Sequence, residues 1–222
     1  FIGDGSQLTN LPTPTVNYSD ITNVPLSYNE NGTGIQSSSN NASGDYSIAM
    51  GRNTTASGTQ STAMGRNTTA SGTQSTAMGY LTTASGTQST AIGLYTTASG
   101  TQSRAMGYNT TASGYISTAM GTNTTASGGV STAMGLGTAT QDYASTAIGA
   151  YNKTKETPNP SEFSLQNTAF VIGNGTDESR SNAFEVLFDG STTIAGDLNI
   201  NSDARLKANI ISLGATLSKL LQ

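Results

Sequence analysis

Small, apolar and polar positions alternate along this chain with a period of 14 residues. From Ser47 to Ser145 each period opens on Ser, places Ala two residues on, then Met or Ile, then Gly. Met50, Met64, Met78, Ile92, Met106, Met120, Met134 and Ile148 hold the apolar slot, and Gly51, Gly65, Gly79, Gly93, Gly107, Gly121, Gly135 and Gly149 follow them. Between these triplets runs Thr-Thr-Ala-Ser-Gly, ending at Gly58, Gly72, Gly86, Gly100, Gly114 and Gly128, and decaying to Thr-Ala-Thr-Gln-Asp in the seventh copy.

Fourteen residues are too few for a pair of helices but suit one turn of a β-solenoid, with two short strands and two tight turns. The fold class predicted is all-β: a parallel β-roll of 14-residue repeats. The two glycines of each repeat are expected where the chain bends and φ turns positive. Stacking at strand spacing, about 4.8 Å, makes eight turns rise on the order of 40 Å. Strand alternation sends Ala63 to one face and Thr62 and Met64 to the other. A roll this thin has room only for small groups, so Ala63 and Ala70, with their repeat mates, are assigned to the interior. The Met/Ile ladder then lies outside as a stripe that asks for a partner surface; three rolls about an axis would cover it. The competing arrangement puts Met inside a monomeric roll.

The phrase Ser-x-Ala-Ile/Met-Gly-x-x-(Ser/Thr)-x-Ala-x-Gly, from about Ser47 to Ala150, resembles the head repeat of trimeric autotransporter adhesins. That resemblance implies a left-handed parallel β-roll in a homotrimer. The family's membrane-anchor barrel has no counterpart in the sequence, so outer-membrane attachment is not expected.

The pattern divides the chain into an N-terminal connector of short strands and turns (1–43), the β-roll (44–150), a polar linker (151–162), a small β module (163–201) and a helical segment (202–222). Within the connector, "GDGSQLTNLP" and "YSDITNVP" resemble segments of phage and viral tail fibres. Phe184, Val186 and Phe188 alternate with Glu185 and Leu187, which predicts a strand. Asp189-Gly190 signals a turn, and Ile194, Leu198 and Ile200 continue on strands. From Ser202 the spacing of Leu206, Ile210, Leu213, Leu217 and Leu220 is a heptad seam, with Ser202 or Asp203 as its N-cap.

Composition narrows the chemistry. Only 34% of the 222 residues are apolar and 10% charged, with 26 Gly, no Cys, no His and no Trp, and net charge −4. A thick conventional core is not expected. Thiolate and His-based sites are excluded, and no cofactor or metal site is expected. No apolar run approaches the ~20 residues of a membrane helix, so no membrane insertion is expected. The nine Lys and Arg are scattered, which argues against nucleic acid as a partner. The chain begins at Phe1 without a signal-like segment and is expected to be a fragment of something longer.

"NSDARLKANI" resembles the opening of the intramolecular chaperone domain that ends phage tailspikes, endosialidases and certain viral fibres. The resemblance implies trimerisation followed by self-cleavage between Asn201 and Ser202, with Ser202 as nucleophile and Lys207 as its base. A Lys of lowered pKa can take the proton from Ser. Five helical positions rotate a side chain by roughly 140°, so either Ser202 precedes the helix or Lys207 reaches a neighbouring chain. The family's chaperone continues well past the point where this sequence stops, at Gln222.

These features predict a non-enzymatic structural and adhesive fibre segment of a virus or cell surface. It would be extracellular or on a virion, a homotrimer whose candidate receptors are a cell-surface glycan or protein. Two rivals compete. A tailspike-type polysaccharide hydrolase needs paired carboxylates, yet from Gly51 to Ala150 the charged residues are Arg52, Arg66, Arg104 and Asp142. An ice-binding solenoid would use an exposed Thr column, for which Thr54, Thr68, Thr82, Thr96, Thr110 and Thr124 are the candidates. Sequons at Asn53, Asn67, Asn109 and Asn123 offer glycan acceptors in a host that glycosylates.

Overall fold

The computed structural model describes residues 27–28, 34–37 and 39–197. The described residues are all-β. Two short strands, β1 (Ser27–Tyr28) and β2 (Ile35–Gln36), precede the repeats. Each repeat then gives one five-residue and one two-residue strand. These are β3 (Ile48–Arg52) and β4 (Thr55–Ala56), β5 (Thr62–Arg66) and β6 (Thr69–Ala70), β7 (Thr76–Tyr80) and β8 (Thr83–Ala84), β9 (Thr90–Leu94) and β10 (Thr97–Ala98), β11 (Arg104–Tyr108) and β12 (Thr111–Ala112), β13 (Thr118–Thr122) and β14 (Thr125–Ala126), β15 (Thr132–Leu136) and β16 (Ala139–Thr140), and β17 (Thr146–Ala150). A final group comprises β18 (Thr168–Asn174), β19 (Asn182–Leu187) and β20 (Thr192–Ile194).

Long strands pair in parallel with long strands of the adjacent turns, and short with short, each residue facing its equivalent 14 positions away: Ala63 lies between Ala49 and Ala77, and Ala70 between Ala56 and Ala84. The result is a parallel β-solenoid with one sheet of 13 strands and one of seven. Its interior is as narrow as the composition requires. The alanines of both columns, Ala63 and Ala70 among them, are fully buried.

Two further columns share that interior. Ser61 and Thr68, with their mates Ser47 to Ser145 and Thr54 to Thr138, are also buried. This removes the exposed Thr column on which the ice-binding reading rested. Both residues lie two positions before an inward Ala, and alternation sends them inward with it. A buried hydroxyl needs an acceptor, and Ser117, Ser131 and Ser145 use the carbonyl three residues back, at 2.7–2.8 Å. The hydroxyls of Ser61 and Thr68 find no partner among the described residues.

The glycines serve two purposes. Gly65 sits inside β5 at φ +124, and Gly51 to Gly135 repeat that geometry. Gly72 does not adopt a left-handed φ. It is required because a Cβ there would stand 2.0 Å from the carbonyl oxygen of Gly86 in the next turn. The left-handed corners themselves fall two residues after each glycine, on Asn67 (φ 54) and Gln74 (φ 57) and their equivalents. The expectation that both glycines supply the positive φ therefore holds for the first column only. Asn is among the few residues that enter this region at low cost.

Asn side chains close both ends of the Thr column. Asn40 stands 14 residues before Thr54, accepting its N–H at 2.9 Å, and Asn152 stands 14 after Thr138. Asn152 accepts the Ala139 N–H at 2.8 Å and donates to the Ala139 carbonyl at 2.9 Å, replacing the strand that would come next. The stretch 151–162 contains no strand and bonds to the last turns: Pro160 and Asn159 offer carbonyls to the N–H groups of Gly129 and Tyr143, both at 2.8 Å. β18 then adds a further parallel rung, with Ala147 facing Val171, Ile148 facing Ile172 and Gly149 facing Gly173. β19 and β20 complete the sheet as antiparallel strands joined at Gly190 (φ +87).

Candidate binding surface

Three columns stand on the outer face of the 13-stranded sheet, because Thr62, Met64 and Arg66 share a parity opposite to Ala63. The central column is the Met/Ile ladder. Met50, Met78, Ile92, Met120 and Met134 are 36–39% exposed, and Met64, Met106 and Ile148 are half-buried. This excludes the arrangement in which Met fills the roll. The ladder does not stop at Ile148. Strand pairing carries it to Ile172, then to Phe184 opposite Ile172, then to Ile194 opposite Phe184. It widens there, since Phe170 meets Phe184 edge-on at 6.3 Å and faces Val186. One apolar stripe thus follows the whole described length of the sheet from Met50.

Beside the stripe runs the column Arg52, Arg66, Tyr80, Leu94, Tyr108. At the adjoining corner the repeat places Asn53, Asn67, Asn109 and Asn123, whose amides join in pairs, Asn53 to Asn67 at 3.2 Å and Asn109 to Asn123 at 2.8 Å. Between these pairs the corner holds Leu81 (φ 53) and Tyr95 (φ 58) instead. Tyr95 meets the rings of Tyr80 and Tyr108 edge-on at 5.9 and 6.1 Å, and the Arg66 guanidinium lies over Tyr80 at 5.1 Å.

The opposite corner carries a Gln ladder, Gln60 to Gln74 to Gln88 to Gln102, with amide bonds of 3.0 Å. Ile116 (φ 54), Val130 (φ 56) and Ala144 (φ 60) continue the corner without amides.

Three of the described carboxylates make structural contacts. Asp142, 4% exposed, accepts the N–H groups of Asn159 and Thr168 at 2.8 Å and pairs with Lys155 at 3.2 Å. Glu185 accepts from Thr168 and Asn182. The Ser191 amide and hydroxyl hold the exposed Asp189 carboxyl below the ordinary carboxylate range. Among the described residues no group of three metal-ligating acids or their like converges. Asn201, Ser202 and Lys207, the residues expected to carry self-cleavage, and the heptad helix beyond them lie outside the described residues. Asp142, Arg180 and Tyr95 escaped sequence reasoning, although each departs from the repeat or follows it. Arg180 donates to the carbonyls of Gly137 and Asn152, tying the final strands to the roll.

Comparison with known families gives a match to the YadA head domain repeat at residues 42–68, 70–96, 98–124 and 117–138. The matched residues lie within the turns of the solenoid and support a trimeric-autotransporter-adhesin-like repeat. No curated protein matches the chain.

Proposed function

We propose that the chain is a segment of an adhesive surface fibre, a parallel homotrimer in which the Met/Ile stripe faces the three-fold axis. The observation that carries this is the stripe itself: one continuous apolar row, from Met50 to Ile194, on the outside of a roll too thin to enclose it. Burying it against copies of itself removes that surface from water, and the head repeats it resembles belong to trimeric adhesins. The fibre would stand outside a cell or virus particle and hold an attachment element away from it, with a surface glycan or protein as receptor.

The C-terminal motif belongs to the same proposal. Ser202 is the nucleophile and Lys207 its base in a chaperone that cuts after Asn201 once three chains have assembled. A Lys in water stays protonated near pKa 10.4, so the dyad works only where the completed chaperone lowers that value. Where the chaperone is complete, Ser202→Ala is expected to leave an uncut chain.

Light scattering tests the assembly. A mass near three times 22.6 kDa is expected, and a monomer's mass refutes the trimer.

A further inference from the structure

We propose that Arg66, Tyr80, Tyr95 and Tyr108 form a ledge that binds an acidic oligosaccharide. The inference rests on the adhesive reading above and gives it a site and a ligand class.

Three observations converge on this corner. The first is a cost without a packing return. A Tyr at left-handed φ is strained, and the same corner is occupied by Asn109 in the following turn and by Leu81, then Asn67, in the two turns before. Strain kept in place by its surroundings marks functional positions. Tyr95 is 45% exposed and Tyr108 44%, so neither ring is there to fill the core.

The second is shape. The three rings are interlocked edge to face along successive turns, giving a rigid row of apolar faces with phenol hydroxyls at its margin. Sugar rings present C–H groups on one side and hydroxyls around the rim, which suits such a row. The amides of Asn67 and Asn109, at its two ends, add donors and acceptors.

The third is charge. No carboxylate occurs between Asp45 and Asp142, whereas Arg52, Arg66 and Arg104 all lie there. This part of an acidic chain is locally cationic, and its ligand should be anionic. Arg66 is held over Tyr80, which leaves the edge of its guanidinium to meet a carboxylate or sulfate as a fork.

Calorimetric titration of the 222-residue chain tests this with three probes: a hyaluronan octasaccharide for sugar carboxylates, a heparin octasaccharide for sulfates, and neutral cellohexaose. The ledge predicts binding of at least one acidic probe, weakened by salt, and none of the neutral one. Tyr95→Asn and Arg66→Thr restore residue types found elsewhere in their columns, so the roll should fold. Each is expected to weaken binding by roughly tenfold or more. Binding that both variants leave unchanged overturns the proposal, as does equal binding of cellohexaose, or no binding of either acid. A Tyr95→Asn chain whose assembly mass differs from wild type also overturns it, because the ledge would then be a seam between copies. A trimer that ignores both acids refutes the ledge alone, and a monomer that binds them through these residues refutes only the trimer.

Discussion

Gly72→Ala isolates the contact that sets the spacing between turns. Gly72 has no left-handed φ, so the methyl introduces no backbone strain by itself. It would lie 2.0 Å from the Gly86 oxygen and 2.5 Å from the Gly86 carbon, both backbone atoms that cannot swing aside. Ordinary contact begins near 3.4 Å, so the neighbouring turn must retreat by more than about 1 Å. Three bonds between the turns cross this point: Ser71 N–H to Ala84 O at 2.9 Å, Gly72 N–H to Ala84 O at 3.3 Å, and Gln88 N–H to Thr73 O at 2.8 Å. At about 1 kcal/mol each their loss costs roughly 3 kcal/mol. The stiffer unfolded chain of the Ala variant returns about 0.4–1 kcal/mol. The net expectation is a destabilisation of about 2–3 kcal/mol, read as a melting point lower by roughly 4–12 °C in circular dichroism. Gly190→Ala is the control. Its φ is +87 and nothing lies within 4 Å of the new methyl, so only the dihedral cost of roughly 1–2 kcal/mol applies. If Gly72→Ala melts within the error of wild type, turn spacing is not set by this approach and the reasoning fails.

Two other changes probe the corners and the cap. Ile116→Gln removes a β-branched residue from left-handed φ and extends the ladder that ends at Gln102; it should raise stability by about 1 kcal/mol, and a lower urea midpoint would contradict it. Asp142→Ala strips the acceptor from the Asn159 and Thr168 amides and the partner from Lys155, and should cost about 3 kcal/mol. Hydrogen exchange should then quicken first at those two amides, and unchanged exchange there would refute the capping role.

The inward alanines were legible because a strict 14-residue period and strand alternation act together on Ala63 and Ala70. The same alternation places Ser61 and Thr68 inside, although the ice-binding reading needed the Thr column exposed. Column geometry wins because a roll this narrow admits only small side chains, whatever their chemistry. The further rung at β18 was hidden by distance. Ile172 follows Ile148 by 24 positions instead of 14, although Val-Ile-Gly at 171–173 copies Ala-Ile-Gly at 147–149. The intervening residues fold back to meet Asp142, Tyr143 and Gly129, a contact that polar and proline-rich composition does not disclose. The ledge at Tyr95 was legible only as a departure from Asn, and the departure gains meaning once left-handed φ and the neighbouring rings are known.

All six methionines of the chain, Met50, Met64, Met78, Met106, Met120 and Met134, belong to the outer stripe, which makes the proposed axis directly observable. Methionine methyl groups carrying ¹³C can be followed by NMR while a soluble paramagnetic agent is added. If the stripe lines a three-fold seam, all six methyl signals should resist broadening, although the single chain leaves most of these side chains more than a third exposed. Broadening of Met64, Met78 and Met106, in the middle of the roll, to the extent seen for a solvent-exposed methionine would contradict the buried stripe and the homotrimer built on it.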